Sequence, residues 1–287
     1  MAKVQKSLFE YCRTPAVSFR CTIDLTRLFL APKDRKEFES RFEKFQHVTN
    51  NKKIKIFKDK LIYDSEQLIP TKKDRRPPVL FVLGNPATHS IERGMFFTSE
   101  GKNGKEHRFW KNILPKAGIG DLCFEGLLED ERNIKRRNAL LELDYQSPYR
   151  IGLCVFISFP SNASRDFKNE SGDCSGIQGI KRLFGSKAFN ELVKHERRRV
   201  MTVIREFVTR DGGVFTFQSD AWNELRSEKD SGYSISEAKA KKLKGTVAEM
   251  PEIRLFGIPP TRLSGPAGET LKKFLDKISR HNVMAAS

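Results

Sequence analysis

Residues 79–90 read VLFVLGNPATHS, an apolar run of five residues that ends in a Gly-Asn-Pro turn. A continuous apolar run of this length is typical of a strand buried on both faces of a sheet. Three later runs have the same character: Ile151–Phe159, Val214–Gln218 and Ile253–Ile258. Helical patterns separate the runs, at about 106–117, 187–210, 219–229 and 267–281. This alternation predicts an α/β fold, a three-layer α/β/α domain with a four-stranded parallel sheet. In such sheets the functional loops follow the carboxyl ends of the strands.

The first 76 residues lack this pattern and are predicted to form an N-terminal extension, which leaves residues 77–287 as the main domain. Within the extension, residues 32–47 have the apolar spacing of an amphipathic helix. The apolar positions are Phe38, Phe42 and Phe45. The sequences KIKIF and KLIYD then flank Lys58-Asp59 and predict a β-hairpin.

The composition indicates a nucleic-acid partner. The chain has 53 Lys and Arg residues against 36 Asp and Glu residues, a formal charge of +17. Such a surplus attracts polyanions, and because no basic amphipathic helix with a strong apolar face stands out, nucleic acid is favoured over a membrane surface. No apolar run approaches the roughly 18 residues of a membrane span, and the N-terminus lacks the apolar segment of a secretory signal. We therefore expect a cytoplasmic protein.

The cysteines and histidines argue against a metal or a disulfide framework. The five cysteines are odd in number and include no C-x-x-C pair, and the five histidines are scattered. We expect no metal and no cofactor. The oligomeric state does not follow from the sequence, although a monomer is favoured.

The turn after the first strand carries the most specific motif. It reads Gly84-Asn85-Pro86-Ala87, and Phe97 follows Asn85 by 12 positions. This stretch resembles the first motif of the uracil-DNA glycosylase superfamily, closest to its mismatch-specific uracil/thymine-DNA glycosylase branch. In that branch a strand ends in Gly-x-Asn-Pro-Gly and a Gly-x-x-Phe follows.

Four later segments add to the resemblance, which runs from about residue 77 to 281. The sequence HRFWKNILPKAG at 107–118 resembles the Asn-Arg-Phe-Trp helix and Ala-Gly turn of the same branch. Residues 159–165 resemble the Arg-Pro loop after the second strand, and VFTFQSDAW at 214–222 resembles the third strand with its small residue and helix. PPTRLS at 259–264 resembles the closing motif, His-Pro-Ser-Pro-Leu-Ser or Asn-Pro-Ser-Gly-Leu-Ser in relatives.

The resemblance implies roles for individual residues. Asn85 would be the catalytic residue that positions the attacking water, because an amide oxygen can accept a hydrogen bond from water. Phe97 would stack on the flipped base. Gly84 and Ser219 would line the base pocket at the ends of their strands.

Three departures from the family pattern bear on substrate and rate. Ala87 stands where the strictly uracil-specific branch has a Tyr, which leaves that side of the pocket open. Cys154 stands where that branch reads the uracil edge with an Asn, so exclusive uracil specificity is not expected. Pro259 replaces the His or Asn that opens the closing motif, and proline has no side-chain donor for the leaving base.

DNA contacts are expected mainly from two loops. The resemblance assigns Leu263 as an apolar wedge, with Thr261, Arg262 and Ser264 beside it on the DNA backbone. Arg165 is a candidate phosphate contact in the second loop. The charged run 135–137, Lys-Arg-Arg, is a weaker candidate, because a solvated surface is the favoured interpretation there.

The leading hypothesis is a monofunctional DNA glycosylase that flips a deaminated, mismatched or modified base and hydrolyses its N-glycosidic bond. One alternative is a defence glycosylase that removes hypermodified bases from viral DNA, suggested by the open pocket and the unfamiliar extension. The other is a DNA-binding protein without catalysis, suggested by Pro259.

Overall fold

The computed structural model describes residues 8–13, 18–49, 53–98, 106–161 and 174–286. This part of the chain contains nine strands: β1 (Phe9–Arg13), β2 (Ser18–Asp24), β3 (Ile54–Phe57), β4 (Lys60–Leu68), β5 (Pro78–Leu83), β6 (Arg150–Val155), β7 (Gly213–Thr216), β8 (Lys244–Val247) and β9 (Met250–Gly257). Its helices are α1 (Leu25–Leu28), α2 (Pro32–Thr49), α3 (Thr88–Arg93), α4 (Leu114–Lys116), α5 (Glu129–Glu142), α6 (Gly176–Phe184), α7 (Ser186–Phe207), α8 (Ser219–Leu225), α9 (Ile235–Lys239) and α10 (Ser264–Ala286). A π-helical turn, Phe109–Ile113, leads into α4.

The described residues cluster into two compact units. The first unit contains the described residues within 1–66, 85–96 and 157–196, and the second contains the described residues within 67–84, 97–156 and 197–287. The long strand β4 contributes its last two residues to the second unit, and helix α7 also changes unit along its length.

The first unit is built on an antiparallel sheet in which β2 lies between β1 and β4. Strand β3 pairs with β4 on the side opposite β2. The predicted helix is present as α2, and its phenylalanines are buried as the spacing requires. They pack on rings from elsewhere in the unit: Phe38 on Phe184 with centroids 5.0 Å apart, and Phe45 on Phe159 at 5.8 Å. The predicted hairpin is also confirmed, since β3 and β4 are joined through Lys58 and Asp59.

The second unit is built on a mixed sheet. Strands β6, β5, β7 and β9 pair parallel in that order. Gln67 and Leu68 of β4 pair antiparallel with β6 at one side, and β8 pairs antiparallel with β9 at the other. All six residues of β5 are buried, as the continuous apolar run predicts.

The mixed α/β class is confirmed, whereas the predicted four-stranded parallel sheet is not, because the described residues form nine strands. Strands β1, β2 and β8 were not predicted, because polar and charged residues interrupt their sequences and leave no continuous apolar run. Such strands are stabilised by antiparallel pairing with one face exposed, which a search for fully apolar runs does not detect. The helix α5 was likewise missed, because its sequence EDERNIKRRNALLE is dominated by charge.

The second predicted strand is also shorter than expected, since β6 ends at Val155 although the apolar run continues to Phe159. Side chains replace a strand partner at this point. The Arg199 guanidinium donates to the carbonyls of Val155 and Phe156 in the second unit. In the first unit, the backbone N–H of Ser158 donates to Glu196 Oε1 at 2.9 Å. These side chains therefore bind the Val155 and Phe156 carbonyls and the Ser158 N–H where the chain leaves the ladder.

Candidate active site

Asn85 is separated from the end of β5 by Gly84 and belongs to the first unit, together with the loop that contains Ser161. Its side-chain amide is oriented by two acceptors. Nδ2 donates to the Pro86 carbonyl at 3.0 Å and to Ser161 Oγ at 2.7 Å. Because a carbonyl oxygen can only accept, the bond to Pro86 defines which end of the amide is the nitrogen. The amide oxygen Oδ1 has no hydrogen-bond donor among the described residues and is the free end of the half-buried side chain.

Ser161 is buried, with 4% of its surface exposed, and it holds the Asn85 amide in place. Its Oγ accepts from Asn85 Nδ2 and from the backbone N–H of Gly176 at 3.1 Å. Both lone pairs of the hydroxyl are then used, which leaves its hydrogen available to donate. The sequence interpretation did not identify this role, although it placed Ser161 in a loop of interest.

Ala87 lies beside Asn85 and Ser161 in the first unit. It forms a parallel bridge with Ser161, and two backbone hydrogen bonds flank the bridge. Ser161 N donates to the Pro86 carbonyl at 3.0 Å, and Thr88 N donates to the Ser161 carbonyl at 3.1 Å. The Asn85 turn and the Ser161 loop are therefore tied together through their backbones. The Ala87 side chain is half-buried and adds only a methyl group here.

Gly84 belongs to the second unit, where Gln218 covers it. A Cβ atom at Gly84 would lie 2.2 Å from Gln218 Nε2 and 2.4 Å from Gln218 Oε1, so a larger residue here would displace the end of the Gln218 side chain. The Gln218 amide forms no hydrogen bond with the described residues, and Gln218 is exposed. Ser219 follows it as the exposed first residue of α8. Gln218 was not predicted as a site residue, although its amide can both donate and accept.

Phe97 belongs to the second unit and is packed among other rings. It stacks on His107 with centroids 4.6 Å apart and on Phe109 at 4.5 Å, and its backbone has a positive φ of 54°. A positive φ is unfavourable for a bulky residue and is maintained by surrounding packing. Phe97 is half-buried, whereas its neighbour Phe96 is buried. A base that stacks on Phe97 must displace the His107 or Phe109 ring, or contact the part of the Phe97 ring that is exposed.

Cys154 lies within β6, paired to Val82 of β5 and to Gln67 of β4, and it is completely buried. Its thiol lies 3.7 Å from the Val155 carbonyl, a weak hydrogen bond. In this arrangement the side chain lines no open surface. Its predicted role toward the base stays a prediction.

The closing motif forms a turn that leads into α10. Thr261 and Leu263 are half-exposed and Arg262 is exposed. The Leu263 N–H donates to the Pro260 carbonyl at 2.8 Å, and Ser264 begins the helix. Pro259 is buried at the start of this turn.

Two cations lie together at this turn. Arg108 Nη1 donates to the Arg262 carbonyl at 3.2 Å, and neither guanidinium pairs with an acidic side chain of the described residues. The hydroxyl of Tyr233 donates to the Ile258 carbonyl at 2.8 Å. Burial raises the pKa of Tyr233 to about 12, against the opposing effect of Arg262. The turn therefore presents positive charge beside the amino end of a long helix, which favours anions.

The other predicted phosphate contacts are Arg165 and the charged run 135–137. Arg165 lies outside the described residues. In the run 135–137, Arg136 is buried, with its guanidinium 4.2 Å from the Trp110 ring centroid and Nη2 2.7 Å from Glu106 Oε2. Arg136 is therefore a structural residue of the second unit, and its use as a phosphate contact was wrong. The sequence could not show this, because the acidic partner lies 30 positions away.

Within the described ranges, no three His, Cys, Asp or Glu side chains are grouped as a metal site would require. The helices of this same part of the chain include none that is long and apolar enough to span a bilayer.

Comparison of the chain with protein-family models and with curated proteins finds no match.

Proposed function

We propose that this protein is a DNA glycosylase that hydrolyses the N-glycosidic bond of a flipped, altered base and leaves an abasic site. The observation that carries the proposal is the oriented amide of Asn85. Its nitrogen is held by Pro86 and Ser161, so its oxygen is the end left to accept a hydrogen bond from water. Because the surrounding motif resembles that of uracil-DNA glycosylases, we assign this water to hydrolysis of the N-glycosidic bond.

In the proposed reaction the bond between the sugar C1′ and the base nitrogen breaks, and the base leaves with the electron pair. Water held by Asn85 Oδ1 adds to C1′, and its proton ends on the departing base. An amide does not take up a proton near neutral pH, so Asn85 orients the water and stabilises the positive sugar electrostatically. This chemistry is suited to bases that already leave readily.

DNA binding in this proposal uses the turn before α10. Arg262 and Arg108 supply charge that no acidic side chain of the described residues pairs with, and Leu263 supplies a half-exposed apolar side chain between Arg262 and Ser264. A glycosylase has to extract the base from the stack, and an inserted apolar side chain offsets part of that cost. The three-layer core with four parallel strands, the monomeric state and the cytoplasmic location belong to the same proposal.

The test is base release from duplexes that each carry one altered base, followed by cleavage of the abasic product. Asn85→Ala should abolish release and change the DNA dissociation constant by only a few-fold, because Asn85 acts on the transition state. Asn138→Ala, at an exposed position of α5, is the matched control and should behave as wild type. Equal release by the Asn85 variant and the wild-type protein would remove Asn85 from the mechanism.

One second candidate has an observation of its own. Pro259 is buried and offers the leaving base no hydrogen-bond donor, which favours a DNA-binding protein without catalysis. Tight DNA binding with no base released from any duplex would select it. A defence role is suggested by the methyl side chain of Ala87, and release only of bulky modified bases would select that role over repair.

A further inference from the structure

The turn between β3 and β4 exposes an aromatic ring. Phe57 ends β3 with 58% of its surface exposed, in a chain whose other phenylalanines are mostly buried. Single exposed apolar side chains are common on protein surfaces, so the Phe57 ring is informative only together with the charged residues around it.

This turn is fixed to the rest of the first unit. The Asp59 carbonyl accepts from the Leu25 N–H at 2.8 Å, and Asp59 Oδ1 lies 2.8 Å from Arg35 Nη1 of α2. Phe57 also pairs across the hairpin with Lys60. The ring is therefore presented on an anchored backbone, which lowers the entropic cost of binding through it.

Lysines surround the ring. Lys55, Lys58 and Lys60 are exposed and pair with no acidic side chain of the described residues, and Lys58 Nζ lies 5.6 Å from the Phe57 ring centroid. Alternation along β3 and the pairing with β4 place Lys55, Phe57 and Lys60 on one face of the hairpin. The acid of the turn, Asp59, is already paired with Arg35.

Protection of an edge strand does not account for this composition. In the described part of the chain β3 pairs only with β4, and lysines on such an edge discourage pairing with another chain. Prevention of such pairing requires only charged residues, and an exposed phenylalanine works against it because it adds an apolar contact. A protein-docking surface would contain several adjacent apolar side chains, whereas here lysines lie beside a single aromatic ring.

We propose that the β3–β4 hairpin is a binding site for single-stranded nucleic acid, in which Phe57 stacks on an unpaired base and the three lysines contact neighbouring phosphates. Stacking on an aromatic side chain is tolerant of base identity, and lysines add affinity that depends on salt. This function does not rest on the proposed glycosylase activity, because it needs neither Asn85 nor base release.

The test measures fluorescence anisotropy of a labelled oligothymidylate, and of a duplex of equal length, at several salt concentrations. Phe57→Ser should weaken binding of the single strand by roughly 5-fold to 150-fold with an unchanged salt slope. Replacement of Lys55, Lys58 and Lys60 by Gln should weaken binding and reduce the logarithmic salt slope by about 2. The matched control replaces three exposed lysines of the second unit by Gln: Lys229, Lys239 and Lys242.

Equal weakening by the two lysine triples would overturn the proposal, because the effect would then be that of net charge alone. Wild-type affinity of Phe57→Ser would also overturn it, and would leave protein docking as the use of the exposed ring. Thermal unfolding of every variant separates a loss of binding from a loss of fold. The same measurements are repeated in the Asn85→Ala variant, so that base release does not alter the DNA during the binding measurement.

Discussion

Replacement of Ser161 by Ala would test whether the orientation of Asn85 matters. The Ser161 hydroxyl accepts two hydrogen bonds, at 2.7 Å from Asn85 Nδ2 and at 3.1 Å from the Gly176 N–H. Each contributes a net stability of about 0.5–1.5 kcal/mol. The variant should therefore lose about 1–3 kcal/mol of unfolding free energy.

The expected effect on rate is separate from this loss of stability. In Ser161→Ala the Asn85 amide keeps only its bond to the Pro86 carbonyl, so it rotates more freely and the attacking water is less well placed. A loss of about 1.4 kcal/mol in transition-state stabilisation would slow base release about tenfold. DNA affinity should stay within a few-fold of wild type, because the hydroxyl acts through Asn85.

The assay is single-turnover base release from the best duplex substrate, with the DNA dissociation constant and urea unfolding measured on the same samples. Ser161→Thr is the conservative control, since it retains the hydroxyl, and it should recover most of the rate. If Ser161→Ala releases the base as fast as wild type while unfolding more easily, Ser161 holds the loop together and does not orient Asn85.

Two further outcomes concern other parts of the molecule. Leu263→Ala should slow excision from paired duplex much more than from single strands, with nearly unchanged thermal unfolding; equal slowing on both substrates with a loss of stability would assign Leu263 to the core. Glu66 is buried, and burial raises its pKa from 4.5 to about 8 against the opposing charge of Lys53. The folded state thus retains a proton that the unfolded chain releases, and stability should fall as pH rises from about 4.5 to about 8, by up to about 1.4 kcal/mol per unit. Urea unfolding of Glu66→Gln should be less dependent on pH over this window, and an equally steep dependence would show that other groups cause it.

The sequence predicted those elements whose signal is local. Strand β5 was identified because its apolar run is uninterrupted, and α2 because three phenylalanines repeat at helical spacing. Strands β1 and β2 were missed because their stability depends on partners far along the chain, for example the pairing of Cys21 with Tyr63. Strands of this kind have no continuous apolar run to identify them.

The same distinction holds for the site residues. The motif placed Asn85 after a strand, as the structure does, but it gave no indication that Ser161 would hold the amide from 76 positions away. The apolar pattern predicts Gln218 at the end of a strand, whereas in the structure β7 ends at Thr216 and the Gln218 amide covers Gly84. Residue type and spacing identified candidates, and only tertiary contacts showed which side chains orient them.

Under the proposed function, Pro259 would limit the class of base that can be released. In the proposed reaction, negative charge develops on the departing base, and a buried proline cannot donate to it. Within the first unit, the Ser161 hydroxyl hydrogen is a donor that the described residues leave unused. Neutral donors of this kind contribute less than a charged group. The stability of the departing anion therefore has to supply part of the driving force, and we expect deaminated or electron-poor modified bases to be released before intact ones.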